Sequence, residues 1–136
     1  MELQDKIHAF IEQGKQARFT LVAWIDSPEL KVYLRRAKRF INGNKEITLE
    51  IANVSVYNRG QKTFTQFLEM VERMSPWTIY VENVLEERFQ LFFQKRNYQR
   101  DPMFQEDHSY FKHTNELQSQ TRRSVDEQST NHSSRI

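Results

Sequence analysis

The spacing of apolar residues at the start of the chain predicts a helix followed by a strand. Four apolar residues fall at i, i+4, i+7 and i+8, which is one stripe of a helix: Leu3, Ile7, Phe10 and Ile11. Gly14 is a typical helix-ending residue, so the helix is predicted over 2–14. The run 19–25 is rich in β-branched and aromatic residues and has polar neighbours on both sides, which is typical of a strand.

The segment 30–41 fits either a strand or a helix. Its apolar residues also recur at helical spacing, and Pro28 suits the first turn of a helix. A strand is favoured because Asn42-Gly43 is a strong signal for a tight hairpin turn, and residues 47–56 alternate between apolar and polar. We therefore expect a hairpin that pairs about 31–40 with about 46–57, and the helix remains the alternative.

Helices and strands continue to alternate in the second half of the chain. Apolar residues at helical spacing predict a helix that Pro76 ends near residue 74, and another helix over about 84–96. Short apolar runs predict strands at 77–81 and 109–112. This order predicts an α/β (α+β) fold with a mixed, largely antiparallel sheet flanked by helices.

The composition limits the size of the domain and the chemistry available to it. The 136 residues suit one domain, which we place at 1–113. Residues 114–136 contain only three large apolar residues, so we expect a disordered tail. Without cysteine, and with four scattered histidines, neither a disulfide nor a metal site is predicted. The first ten residues lack a long apolar run, which favours a cytoplasmic protein without a membrane span.

Two stretches within residues 46–98 match short motifs of a known family. The apolar strand 49–56 leads into Arg59-Gly60-Gln61-Lys62-Thr63-Phe64 at the start of a helix, and a later helix ends in Phe93-Gln94-Lys95-Arg96-Asn97-Tyr98. This pattern resembles the GNAT family, the acetyl-CoA-dependent N-acetyltransferases. In that family the turn binds the cofactor pyrophosphate through backbone N–H groups and the positive end of the helix dipole. The resemblance implies a GNAT-like fold, acetyl-CoA as cofactor, no metal, and an amine as acyl acceptor.

The resemblance also implies which residues bind the cofactor. They lie on the strand and the turn: Val54, Val56, Arg59, Gly60, Gln61, Lys62, Thr63, Phe64 and Thr65. Lys62 and Phe64 occupy positions where the family has small residues. Phe93 stands where many members have a proton-donating tyrosine, and Glu86 stands where many have asparagine. These departures identify a small, divergent GNAT-like sequence with degenerate cofactor motifs.

The reaction of that family also needs a general base, which takes a proton from the amine. A carboxylate near the end of a central strand is the usual type, so Glu50 and Glu82 are the catalytic candidates. Each has a plainer interpretation. Glu82 is suited to the acidic first turn of the next helix, and Glu50 to the solvent face of an alternating strand.

Three functional hypotheses follow from the sequence. The first is a GNAT-like acyltransferase that transfers acetyl from acetyl-CoA to an amine. The second is a catalytically inactive GNAT-like module of a mobile-element type protein, which binds or inhibits a protein partner. The third, a nucleic-acid-binding domain, rests only on four residues that share a strand face: Lys31, Tyr33, Arg35 and Arg39. The net charge of +2 gives it little support, and homodimerisation is left open.

Overall fold

A six-stranded mixed sheet with helices packed on it forms the described part of the chain. The computed structural model describes residues 2–57, 62–103 and 108–114. The elements are α1 Leu3–Gln16, β1 Leu21–Asp26, β2 Leu30–Ile41, β3 Asn44–Val56, α2 Thr63–Met74, β4 Thr78–Val81, α3 Glu87–Lys95, β5 Gln99–Arg100 and β6 Tyr110–Lys112. The strand order is β1-β2-β3-β4-β6-β5, and all neighbours are antiparallel except β3 and β4. The predicted fold class is confirmed. Of the predicted tail 114–136 the structure describes only Thr114, which is buried, and the rest lies outside the described residues.

The segment 30–41 is a strand, and the hairpin prediction is confirmed. Strands β2 and β3 pair from Leu30 with Val56 to Ile41 with Asn44. The turn between them has positive φ at both central residues, 52° at Asn42 and 83° at Gly43. Such a turn matches the twist of the strands it joins, and asparagine and glycine adopt it at little cost. Local turn chemistry therefore decided between strand and helix.

Several boundaries differ from the prediction. Helix α1 continues past Gly14 to Gln16, and β1 begins at Leu21 and not at residue 19. Helix α3 begins at Glu87 and not near residue 84, because the preceding segment is extended and tied to the chain after the helix. Here Val84 N–H donates to the carbonyl of His108 at 3.0 Å. Strand β5, only two residues long, was not predicted, since Gln99-Arg100 has no apolar pattern that could signal a strand.

The hydrophobic core lies between the helices and one face of the sheet, here called the helix face. Alternate residues of β2, Leu30, Val32 and Leu34, are fully buried against apolar residues of α1, α2 and α3. The helix contributions to this core are Ile7, Phe10, Ile11, Phe67, Leu68, Val71 and Phe93. Gly14 of α1 allows a close approach, because a Cβ there would lie 2.7 Å from the Trp77 ring. Helix α1 therefore lies directly against the segment that precedes β4.

The opposite face of the sheet, here called the open face, carries the other alternate residues. On β2 these include Tyr33, Arg35 and Arg39, as the strand pattern predicted. Toward β4 and β6 a small second cluster is buried on this face, formed by Ile41, Tyr80 and Phe111. The Tyr80 hydroxyl donates to Asp101 at 2.6 Å, so the chain after β5 is held against this end of the face. The part over β1 and β2 carries exposed side chains.

Candidate functional site

The site begins where the two parallel strands separate. Strands β3 and β4 pair from Thr48 with Thr78 to Ile51 with Val81, and the last contact is Glu82 N–H donating to the Ile51 carbonyl at 3.2 Å. A register shift at the next residue leaves Ala52 as a bulge against β2. Bulges bend a strand and are common beside functional sites. Beyond this point β3 continues beside β2, while the chain after β4 turns toward α3.

The gap between the separated strands is a cavity of about 800 Å³. Helix α2 begins at one end of it and α3 forms a wall. The lining comprises 51–56 of β3, 62–65 at the start of α2, 81–86 after β4, and Arg88, Phe89, Phe92 and Phe93 of α3. Because Phe64 packs on the helix face and Glu82 lies on the open face, the cavity connects the two faces of the sheet. Its volume is within the range of small-molecule sites.

The predicted cofactor-binding residues that the structure describes all line this cavity. They are Val54, Val56, Lys62, Thr63, Phe64 and Thr65. Val54 and Val56 are half-buried and also pack against the main core. Arg59, Gly60 and Gln61 lie outside the described residues. The strand part and the helix part of the predicted set are therefore brought together, as the spacing of the motif requires.

Lys62 precedes α2 and has a left-handed backbone, with φ 53° and ψ 29°. Glycine is the residue that this conformation favours, so the backbone here has the shape that a small residue would give. Its carbonyl accepts the hydrogen bond from Gln66 N–H at 3.0 Å, which starts the helix, and its side chain is exposed. The free N–H groups of a helix start attract anions, and the Lys62 ammonium adds a positive charge beside them.

Phe64 belongs to both the core and the cavity wall. Its ring lies 6.0–6.2 Å from the rings of Phe67, Phe89, Phe92 and Phe93, which fixes it within a phenylalanine cluster. It is only half-buried, and it lines the cavity. The cavity of about 800 Å³ is what remains open with Phe64 in this position. The ring thus narrows the space beside the α2 start without closing it.

The two carboxylates predicted as general bases meet in one ion network on the open face. Glu50 accepts hydrogen bonds from Arg35 Nε at 2.8 Å, from Arg39 Nε at 2.5 Å and from Thr48 Oγ1 at 2.8 Å. Glu82 accepts from Arg35 Nη2 and from Arg39 Nη2, the latter at 3.3 Å. Two guanidinium groups therefore bridge two carboxylates, which leaves the network close to electrically neutral.

Glu50 and Glu82 differ in their access to solvent. The side chain of Glu50 is 1% exposed and that of Glu82 is 36% exposed. The interpretation of Glu50 as a solvent-face residue was wrong, because Thr48 and the two arginines enclose it. A buried carboxylate needs such partners to remain charged. Glu82, in contrast, lines the cavity and precedes α3 by several residues, so it is not in the first turn of that helix.

The arginines of this network are held strongly in the charged form. Burial lowers the pKa of Arg35 and Arg39, but the hydrogen bonds and charge of Glu50 outweigh burial and raise both pKa values. The Arg39 guanidinium also stacks over the Tyr80 ring at 4.0 Å. Burial and the hydrogen bond to Asp101 raise the pKa of Tyr80 to about 12. The sequence showed these residues as a charged strand, but not their partners, which come from separate strands.

Two further residues named from the sequence lie in the α3 wall. Phe93 is 2% exposed, and its ring packs against those of Tyr98 and Tyr110. Glu86 precedes α3 and accepts a hydrogen bond from Arg88 Nε at 2.9 Å. The carboxylate at this position is therefore accompanied by a cation within the cavity lining. Among the described residues, no group of three His, Asp or Glu could hold a metal ion.

The basic strand face that prompted the nucleic-acid hypothesis is largely neutralised. Arg35 and Arg39 are bound to carboxylates, which leaves Lys31 as the cation beside Tyr33. Lys31 Nζ lies 4.9 Å from the ring of Trp24, which the sequence did not single out. Charges already paired within the protein contribute little to phosphate binding.

No helix in the described part of the chain is long and apolar enough to cross a membrane.

Comparison with known proteins identifies the fold. No family model and no curated protein matches the chain. It is similar to the crystal structure of a KacTA–DNA complex, with 12% identity and a TM-score of 0.55 over 86% of this chain and 84% of that chain. It is also similar to a structure of the AtaT toxin, in a tyrosine-to-phenylalanine mutant bound to the C-terminus of the antitoxin AtaR and to acetyl-CoA. The identity is 10% and the TM-score is 0.50, over 75% of this chain and 71% of that chain. The fold is therefore GNAT-like.

Proposed function

We propose that this protein is a GNAT-like acyltransferase that binds acetyl-CoA in the β3–β4 cavity and transfers the acetyl group to an amine. The cavity is the observation that carries the proposal. It joins the start of α2 on the helix face to Glu82 on the open face, so a donor and an acceptor could meet from opposite sides. The acetyl-CoA in the similar AtaT structure supports the same ligand.

The residues present fit this cofactor. The start of α2 and the Lys62 ammonium would hold its pyrophosphate, together with the turn residues Arg59, Gly60 and Gln61. Within the described residues, β3 beyond Ile51 has a strand partner only on the β2 side. Its opposite edge, near Val54 and Val56, would bind the amide groups of the pantetheine arm, as a strand edge binds an added strand. Thr63, Phe64 and Thr65 would complete the wall at the helix start.

Acetyl-CoA would supply the activated acyl group, and the chain would supply the proton transfer. We assign the general base to Glu82, because its carboxylate lines the cavity and reaches water. Glu50, the other catalytic candidate, would act by holding Arg35 and Arg39, which in turn orient the Glu82 oxygens. An ammonium group binding at Glu82 would compete with the guanidinium of Arg35 for the same oxygen. An ammonium that displaces Arg35 from Glu82 Oε2 would lose its proton to that carboxylate, and the freed amine would attack the acetyl carbonyl. Water would protonate the departing thiolate, since Phe93 has no hydroxyl.

An inactive binding module remains the second candidate, favoured by Phe93. That residue lacks a hydroxyl and is buried at 2% exposure, so it could not protonate a departing thiolate. The degenerate cofactor motifs would then reflect lost chemistry, with a protein partner replacing the substrates. The AtaT structure holds the antitoxin segment together with acetyl-CoA, so it supports a protein partner for either candidate. The domain limit at 113 and the cytoplasmic location stay predictions.

Calorimetric titration with acetyl-CoA separates the two candidates. If the protein is an acyltransferase, it should bind acetyl-CoA. It should also release the free thiol of CoA from acetyl-CoA when primary amines from a panel are added. Lys62→Ala should weaken binding about fivefold, since an exposed charge pair is worth roughly 1 kcal/mol. Lys45→Ala, which removes an exposed lysine far from the cavity, is the matched control. Absence of heat and of any thermal shift at millimolar acetyl-CoA would rule out the enzyme, and binding without turnover would favour the inactive module.

A further inference from the structure

Two aromatic residues lie side by side on the open face. Trp24 of β1 is 53% exposed, although large aromatic side chains are usually well covered. Its ring centroid lies 4.9 Å from that of Tyr33 on β2, with the planes inclined by 48°. A pair at this distance and angle presents a rigid apolar surface, since each ring has few rotatable bonds. We call these two residues the aromatic pair.

The aromatic pair is continuous with the cavity. Trp24 pairs across the sheet with Tyr33, and Tyr33 pairs with Asn53, which lines the cavity. Neighbouring strands are about 4.8 Å apart, so Tyr33 lies one strand and Trp24 two strands from the cavity edge, roughly 5 and 10 Å. Tyr33 and Arg35 are two residues apart on β2, so their side chains are neighbours on the same face of the sheet. Arg35 in turn donates a hydrogen bond to Glu82. A molecule whose amine is at Glu82 could extend directly over Tyr33 and Trp24.

The local charges decide which chemical group fits the aromatic pair. Lys31 Nζ already lies over the Trp24 ring at 4.9 Å, so a second cation would be repelled there. Arg35 and Arg39 are balanced by Glu50 and Glu82, and attract no further anion strongly. An uncharged planar ring is neither repelled by Lys31 nor dependent on a free counter-charge, and it can stack on one ring of the pair while meeting the other, inclined by 48°, through its edge. The surface therefore favours an aromatic group over an ammonium or a phosphate.

We propose that the aromatic pair is an acceptor subsite, and that the preferred amine carries an aromatic ring on a chain that reaches from Glu82 across Arg35 to Tyr33 and Trp24. This inference rests on the proposed acyltransferase function and specifies the acceptor class for the same site. Trp24 and Tyr33 determine specificity by binding the ring, while Glu82 receives the proton. The donor and the acceptor then occupy separate faces of the sheet and meet at the separation of β3 and β4.

Kinetics with a matched pair of acceptors test the subsite. The wild-type protein should have a lower KM for 4-phenylbutylamine than for heptylamine, which is of similar length but has no ring. Trp24→Ala should raise the KM for the aromatic amine about tenfold, as expected for roughly 1.4 kcal/mol of stacking, and leave kcat within about twofold. Phe40→Ala, at an exposed aromatic near the far end of β2, should change neither constant. Equal KM values for both amines, or an unchanged KM in Trp24→Ala, would overturn the proposal.

A binding measurement keeps the subsite testable if no amine is acetylated. The indole N–H signals of Trp24 and Trp77 can be separated by NMR, using Trp77→Phe to assign them. The aromatic amine should shift the Trp24 signal, and heptylamine should shift it several times less. That result, together with no turnover, would reject the proposed reaction but retain the aromatic-binding surface. No shift of Trp24 with either amine would reject the surface itself. Trp24→Leu, with its melting temperature checked, guards against a folding defect in Trp24→Ala.

Discussion

At the scale of single residues, Glu50 is the most constrained charge on the open face. Its carboxylate holds Arg35, Arg39 and Thr48 while 1% exposed. Glu50→Ala should lower the free energy of unfolding by about 2–4 kcal/mol, because the two arginines lose their buried counter-charge. Urea denaturation measures the loss.

A matched control for Glu50→Ala exists on the surface. Glu12→Ala removes the exposed partner of Lys15, at 3.2 Å, and should cost less than about 1 kcal/mol. Glu50→Gln keeps the shape of the side chain but removes its charge, so its loss of unfolding free energy should lie between those of Glu50→Ala and Glu12→Ala. A loss for Glu50→Ala no larger than for Glu12→Ala would mean that water already screens the network.

Lys62 combines a strained backbone with a positive charge, and the two effects can be separated. Its φ of 53° costs a lysine roughly 1 kcal/mol relative to glycine. Lys62→Gly should therefore stabilise the fold by about that amount in thermal unfolding, while lowering the affinity for acetyl-CoA through loss of the ammonium. Lys62→Ala should lower the affinity without the gain in stability. Equal stabilities of the two variants would argue against the left-handed backbone.

At the scale of elements, α3 tests whether the position of Phe93 can regain a hydroxyl. Phe93 is enclosed by Tyr98, Tyr110 and Phe64. Phe93→Tyr should destabilise the protein by about 1–3 kcal/mol, because it places a hydroxyl among packed aromatic rings, and it should not accelerate acetyl transfer. Phe92→Tyr, at a half-buried position of the same helix, should be nearly neutral. A rate gain of tenfold or more in Phe93→Tyr would place this side chain at the cofactor sulfur.

The elements that could be predicted from the sequence are those defined by local signals. The hairpin follows from Asn42-Gly43 and from alternation in β3, and α2 follows from its apolar spacing and from Pro76. The short β5 and the start of α3 depend on contacts with distant chain, such as Val84 with His108, which no local pattern reports. The same holds for the site. The candidate residues of the turn were proposed from their motif, but the arginine partners of Glu50 and Glu82 come from β2, whose charges looked like an ordinary solvated face.

At the scale of the whole molecule, buried tyrosines should make the fold sensitive to alkali. The pKa of Tyr80 is raised to about 12 by burial and by Asp101, and burial and Glu72 raise that of Tyr98. A raised pKa means that the folded state favours the protonated phenol. This contribution is complete below about pH 10, the value of an unfolded tyrosine, and is lost as the pH rises toward about 12.

Urea unfolding at about pH 9 and about pH 11 measures this loss. At about pH 9, Tyr80→Phe should be less stable than wild type, because it lacks the hydrogen bond to Asp101. Between about pH 9 and about pH 11 its free energy of unfolding should fall by less than that of wild type, because it has no phenol to ionise at this position. Tyr98→Phe should remove a further part of the dependence. An unchanged slope in Tyr80→Phe would show that other groups, such as the lysines, account for the alkaline sensitivity.

The separation of β3 from β4 also divides one strand into two dynamic regimes. From Thr48 to Ile51 the strand has neighbours on both sides, whereas from Ala52 to Val56 its described sheet neighbour is β2 alone. Backbone amides of the first part should therefore exchange with deuterium only through rare, near-global opening, and those of the second part through small local fluctuations. A ligand that binds along this edge would slow exchange there selectively. The parting of two strands thus provides a built-in reporter of occupancy that needs neither turnover nor a label.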